Sequence, residues 1–140
     1  MSTLTIQERQ SRGVTIIDLA GKVTIGGSNK HLHDAIKRLV HEGKNQIILN
    51  LAKVTYIDSS GLGELVSGYS TLKANNGFLK LLNVPGKVID LMVITKLYTV
   101  FEIYESEEES VNSFETRSEN VTEPLNEHFA SDAVAGSSGV

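Results

Sequence analysis

The hexapeptide Asp58-Ser59-Ser60-Gly61-Leu62-Gly63 concentrates the potential chemistry of this 140-residue chain. A carboxylate and two hydroxyls stand side by side where a strand edge passes into a helical pattern. Each of the three can accept a hydrogen bond from the orphan N–H groups of a first helical turn. Gly61 and Gly63 are poor helix formers, each costing about 1 kcal/mol against alanine in a helix interior. Two in one first turn imply a backbone that approaches something closely or must present nothing bulky. Two uses fit these residues. One is an N-cap whose glycines let the helix pack on a sheet. The other is an exposed serine at a helix N-terminus, where a phosphate is accommodated. Asp58 opposes added negative charge, so such a serine would be a two-state switch rather than a static anion site.

Other chemistries fail on residue type or spacing. Gly63-Glu64-Leu65-Val66-Ser67-Gly68-Tyr69-Ser70 has the glycine and serine spacing of a phosphate loop, but Tyr69 stands where the essential lysine belongs. His31 and His33, two apart on a helix, point to different faces and cannot share a metal. His41 near a helix C-terminus suits the dipole. A hydrolase built on Ser59 needs a histidine base, and no Gly-x-Ser-x-Gly segment is present. Asp58 cannot replace the imidazole, since its ordinary pKa is near ~4. Glu107-Glu108-Glu109 reads as an acidic helix start rather than a divalent metal site. The chain has no cysteine, which excludes disulfides, thiolate metal centres and a cysteine nucleophile. No tryptophan, 6% aromatics and a net charge of −4 argue against nucleic-acid binding. No apolar run approaches the roughly 20 residues that cross a bilayer, and the N-terminus lacks a signal pattern. The expectation is a cytoplasmic binding protein without cofactor or membrane insertion.

The elements that hold the hexapeptide alternate along the chain. Residues 4–10 and 14–20 are β-like, joined by the hairpin signal Ser11-Arg12-Gly13. Gly21 to Gly27 reads as a loop. Ser28 or Asn29 can cap a helix over 28–42 through Leu32, Ile36, Leu39 and Val40, stopped at Gly43. The continuous apolar runs at 46–51 and 78–82 predict strands covered on both faces. Between them a helix runs from about Ser60 to Ala74 through Leu62, Leu65, Val66, Tyr69 and Leu72, closing at Asn75-Asn76-Gly77. Pro85-Gly86 opens a short helix with Val88, Ile89, Met92 and Val93. A brief strand over 100–104 and a last helix over 107–114 follow. Helices alternating with buried strands imply an α/β fold with a mainly parallel sheet, an antiparallel N-terminal hairpin and about four helices. Residues 1–116 are expected to form this domain. Residues 117–140, with Arg117 against Glu119, Glu123, Glu127 and Asp132, hold −3 of the net charge and read as a disordered acidic tail. Leu125 and Phe129, four apart within it, could dock as one helical turn.

Asp-Ser-Ser-Gly-Leu-Gly after a buried strand, in a domain of this order and length, resembles the STAS family, specifically the anti-sigma factor antagonists. The resemblance covers residues 4–115. It implies a phosphorylation-controlled binding module and no enzyme. Ser59 would be the acceptor of a partner that is both serine kinase and anti-sigma factor, and a serine phosphatase would reset it. The unmodified form would bind that partner and free sigma, regulating transcription. Asp58, Ser60, Gly61, Leu62 and Gly63 would form the docking surface. The family's loop after the second strand touches partners, which adds Thr24 and Gly26. There this chain departs from the family: Thr24 stands where an acid is usual, which bears on partner choice and not on fold. The expected state is a monomer or weak dimer. The alternatives are a STAS scaffold or transporter-associated subunit that is not phosphorylated, and a STAS domain binding a small molecule or nucleotide at the same helix start.

Overall fold

A computed structural model describes residues 4–24 and 27–115. The acidic tail expected over 117–140, with Leu125 and Phe129, and the expected contact residue Gly26 lie outside the described residues. The elements come in the expected order: β1 (Leu4–Ser11), β2 (Val14–Val23), α1 (Gly27–His41), β3 (Gln46–Ile57), α2 (Ser59–Ala74), β4 (Phe78–Leu82), α3 (Gly86–Ile94), β5 (Glu102–Tyr104) and α4 (Glu107–Glu115).

Arg12 and Gly13, at φ of 51° and 82°, turn β1 antiparallel onto β2. The remaining strands are parallel, and the sheet order is simply β1-β2-β3-β4-β5. Parallel neighbours need crossovers, which α1, α2 and α3 supply. Strand side chains alternate between faces, and two separate cores result. Ile17, Leu19, Leu49, Leu51, Leu79 and Leu81 pack against α1, α2 and α3 through Leu32, Ile36, Leu39, Leu65, Leu72, Val88 and Met92. On the other face Val14, Ile16, Ile48, Leu82 and Tyr104 pack against Val111 and Phe114 of α4. Ile48 and Leu81 are both 0% exposed, as two-sided strands require. Val66, expected in the core, is only half-buried at its edge.

Three boundaries differ from expectation. β2 continues to Val23 and α1 starts at Gly27, so residues 21–23 and 27 of the expected 21–27 loop belong to these elements. The side chains of the expected caps Ser28 and Asn29 are not among those described. The last strand is confined to Glu102–Tyr104, because Val100 closes a turn by donating to the Leu97 carbonyl at 3.1 Å. β3 runs six residues past the apolar run 46–51, and its register against β2 slips between Asp18 and Ala20 and again between Gly21 and Lys22. Each slip inserts an extra β3 residue, so the inward positions become Leu51, Val54 and Ile57. A bulge bends a strand and re-aims its end. Here the end is Ile57, and the next residue is Asp58.

The helix on the second face is held at both ends. Lys80 of β4 points under α4 and is 4% exposed. Its ammonium donates to Ser113 Oγ at 2.8 Å, pairs with Glu102 at 3.1 Å and lies 4.2 Å from the Phe114 ring centre. At the other end the Arg9 guanidinium donates to both Glu107 carboxylate oxygens, at 2.9 and 2.7 Å, and to both Asp18 oxygens, at 2.6 and 3.1 Å. These hydrogen bonds from Arg9 hold the Glu107 and Asp18 carboxyls below the usual carboxylate range. Glu107, read from sequence only as part of an acidic helix start, thus has a specific partner.

Candidate functional site

The bulged end of β3 delivers Asp58 to the start of α2. Asp58 has extended backbone and caps the helix: its Oδ1 accepts from the Gly61 N–H at 2.8 Å. Its carbonyl accepts from the Leu62 N–H, also at 2.8 Å. Of the three candidate caps, Asp58 therefore takes the role. Ser60, expected to contribute capping, lies inside the first turn and does not cap. Ser59 and Ser60 are both exposed, and neither hydroxyl makes a hydrogen bond among the described residues.

The two glycines have different reasons. Gly61 is buried, and a Cβ there would stand 1.9 Å from the Val23 carbonyl oxygen. The first turn of α2 therefore lies directly on the end of β2, and the chain continuing from Val23 into half-buried Thr24 passes beside it. Around Gly63 there is open space within 4 Å. Close approach and an unobstructed surface were the two alternatives the sequence offered, and the turn contains one of each.

Leu62 requires a correction. It is 2% exposed and packed in the main core, so its side chain is not available to a docking partner. Together with Gly61 it fixes the turn, and the accessible surface is made of Ser59, Ser60 and Gly63. Next to them Glu64 Oε1 lies 3.8 Å from Nδ1 of His33 on α1. The first turn carries no acidic residue, so the Asp58 cap just before it is the one carboxylate set against the N–H groups and positive dipole end of this 16-residue helix.

One neighbour escaped the sequence. Tyr56 is 51% exposed, beside a half-open cavity of about 360 Å³ between residues 54–57 and the start of α3. In an alternating strand a tyrosine before Ile57 gives no sign of its surroundings, and the bulges that turn it outward have no local signature. Among the described residues no cluster of three His, Asp or Glu side chains could hold a metal, and no helix is long and apolar enough to cross a membrane.

The fold and this strand-to-helix junction define a class. The family model for the STAS domain matches residues 5–110, and the chain belongs to that family. It is 26% identical over 117 residues to the anti-sigma F factor antagonist of Paenibacillus polymyxa, covering 80% of this chain and 96% of that protein. With the anti-sigma-B factor antagonist of Bacillus subtilis (strain 168) it shares 29% identity over 100 residues, covering 71% and 90%. The fold is similar to that of the solved anti-sigma factor antagonist SpoIIAA in its unphosphorylated form, with TM-score 0.68, 23% identity and coverage of 79% and 96%.

Proposed function

We propose that this chain is an anti-sigma factor antagonist whose docking is switched by phosphorylation of Ser59. The observation that carries the reading is the division of labour at the start of α2: Asp58 makes the cap, which leaves the Ser59 hydroxyl exposed and uncommitted. The relatives named above are antagonists of anti-sigma factors, and their names supply the partner class. A partner acting as serine kinase would transfer the terminal phosphoryl group of ATP to Ser59 Oγ, releasing ADP and the hydroxyl proton. A phosphatase would hydrolyse the ester. The catalysis lies in those proteins. Here Asp58 caps, Gly61 and Leu62 seat the turn, and Ser60 and Gly63 leave its surface low, with Thr24 following the strand end on which the turn lies.

Modification adds about −1.5 to −2 charges and three acceptor oxygens. The helix N-terminus favours the anion while Asp58 opposes it, so the fold is retained. At an interface the same phosphate is desolvated or meets a partner's carboxylates. A loss of about 1–3 kcal/mol weakens binding roughly 5- to 150-fold, enough to release a partner.

The test is incubation of the wild-type, Ser59→Ala and Ser60→Ala proteins with the co-encoded kinase and ATP, read by intact mass. One phosphate on wild type and Ser60→Ala and none on Ser59→Ala is the expected result. In binding assays Ser59→Ala stays bound to the anti-sigma factor in the presence of ATP, while Ser59→Asp folds normally and binds poorly. A phosphate retained by Ser59→Ala moves the site by one residue. No phosphate on any form returns the chain to the scaffold reading.

A further inference from the structure

The cavity beside Tyr56 is walled by Val54 and Ile57 of β3 and by Pro85, Val88 and Leu91 around α3. It is apolar and half-open. Lys87 stands on its rim, and residues 87, 91 and 94 repeat at i, i+4 and i+7, so one face of α3 continues the surface outward. That face ends on Ile94, which is 76% exposed. Large apolar side chains exposed singly are ordinary, whereas several grouped around a cavity mark an interaction site.

Two lysines flank Tyr56 on this ledge, while Asp58 follows it by two residues and Asp90 stands three residues after Lys87 on α3. Lys22 is the cross-strand partner of Tyr56 in the β2–β3 register, and Lys87 lines the cavity on the other side. Neither lysine makes an ion pair among the described residues, so both ammonium groups flanking Tyr56 are open to a partner's carboxylates. The chain passes from Tyr56 and Ile57 at the end of β3 through the Asp58 cap to Ser59 at the start of α2, so a protein covering Ser59 meets the ledge within a few residues.

We propose that the Tyr56 ledge is a second contact for the same anti-sigma partner, taking an apolar side chain flanked by carboxylates. The inference rests on the Ser59 reading and deepens it. Tyr56 and the cavity supply contact that does not depend on charge state, and Lys22 and Lys87 attract the partner's acids. A phosphate on Ser59 brings negative charge to the same end of the domain, where it competes for these lysines and repels those acids. Release on phosphorylation then has a defined electrostatic cause: the partner surface is itself acidic.

The probe is the purified anti-sigma factor identified by its phosphorylation of Ser59, titrated calorimetrically against the full chain without ATP. Tyr56→Ala is expected to weaken binding at least tenfold with the thermal midpoint near wild type. Lys22→Gln with Lys87→Gln is expected to weaken it severalfold and to flatten its dependence on salt. Leu91→Ser, on the cavity wall, provides an independent variant should Tyr56→Ala fold poorly. Binding within twofold of wild type for all of these, with Ser59 phosphorylation still releasing the partner, overturns the ledge and leaves the Ser59 switch intact. A wild-type dimer in sedimentation that Tyr56→Ala converts to monomer, with partner binding unchanged, gives the ledge to a second copy of the chain and also overturns the proposal. Absence of binding by the wild-type protein itself ends both readings.

Discussion

Gly61→Ala and Gly63→Ala add the same methyl group two residues apart in one helical turn, with opposite expected signs. Both gain about 1 kcal/mol of helix propensity. At Gly63 nothing lies within 4 Å of the new Cβ, so the gain survives as about 0.5–1 kcal/mol of added stability. At Gly61 the Cβ would stand 1.9 Å from the Val23 carbonyl oxygen, 2.7 Å from its carbon and 2.9 Å from Ile57 Cγ1. Ordinary contact begins at 3.4 Å, so α2 and the end of β2 must part by about 1.5 Å. The obstacle is backbone fixed in a parallel ladder, which cannot swing away as a side chain can. Overpacking costs about 1–3 kcal/mol, and a backbone obstacle places this case at the upper end. After the propensity gain the net loss is about 2 kcal/mol, or roughly 10 °C in Tm for a domain of this size. Urea unfolding followed by far-UV circular dichroism measures both variants against wild type. Equal stability of Gly61→Ala and wild type, or shifts of the same sign in both variants, would refute the close-approach argument.

Asp58→Ala is expected to lose about 0.5–2 kcal/mol in the same unfolding assay, whereas Ser60→Ala stays near wild type, because the cap is the carboxylate. Stability should also fall in acid. The Asp18 and Glu107 carboxyls are held below their ordinary range by Arg9, so their contribution is complete above about pH 5 and is lost as the pH falls through the depressed values. Both groups are partly exposed, so each contributes about 1 kcal/mol or less, and Arg9→Gln should flatten that part of the pH profile. Lys80→Met keeps the length of a buried side chain and removes its charge, so stability near or above wild type is expected. Lys80→Ala leaves a void and removes the donor to Ser113 Oγ, which keeps its own bond to the Ser110 carbonyl, and should lose about 2–3 kcal/mol by thermal unfolding.

The β-β-α-β-α-β-α-β-α order was legible because each signal is local. Gln46 to Leu51 and Phe78 to Leu82 are apolar without interruption, and Leu32, Ile36 and Leu39 repeat at helical spacing. The hexapeptide at 58–63 was legible for the same reason, since small oxygen-bearing residues before an amphipathic run announce a helix start. What stayed hidden depends on neighbours in space. The second half of β3 is buried at Leu51, Val54 and Ile57, a spacing of three that matches neither strand nor helix until the bulges against β2 are known. Leu62 falls within a motif whose resemblance suggests contact, yet the pitch of α2 carries it into the core. Which of Asp58, Ser59 and Ser60 caps is decided by the angle at which β3 arrives. Nothing in the string Phe78-Leu79-Lys80-Leu81-Leu82 says that its lysine lies under a helix.

That lysine has a consequence for what the domain looks like when it is partly open. α4 is nine residues long and is the one helix packed on its face of the sheet among the described residues, so it can part from the sheet without disturbing α1, α2 or α3. Beneath it the sheet carries Lys80, and alongside run Arg9, Asp18, Asn50 and Asn83, joined by hydrogen bonds from β1 to the loop after β4. A chain that has shed α4 therefore shows the apolar strip of Val14, Ile16, Ile48, Leu82 and Tyr104 interrupted by the Lys80 ammonium, where an uninterrupted apolar sheet would invite a second sheet to stack. An inward-pointing charge is one of the devices by which β-rich proteins avoid self-association. Two opened copies stacked on this face would bury like charges, whereas the segment that closes it brings the Ser113 hydroxyl and the Phe114 ring that the ammonium contacts.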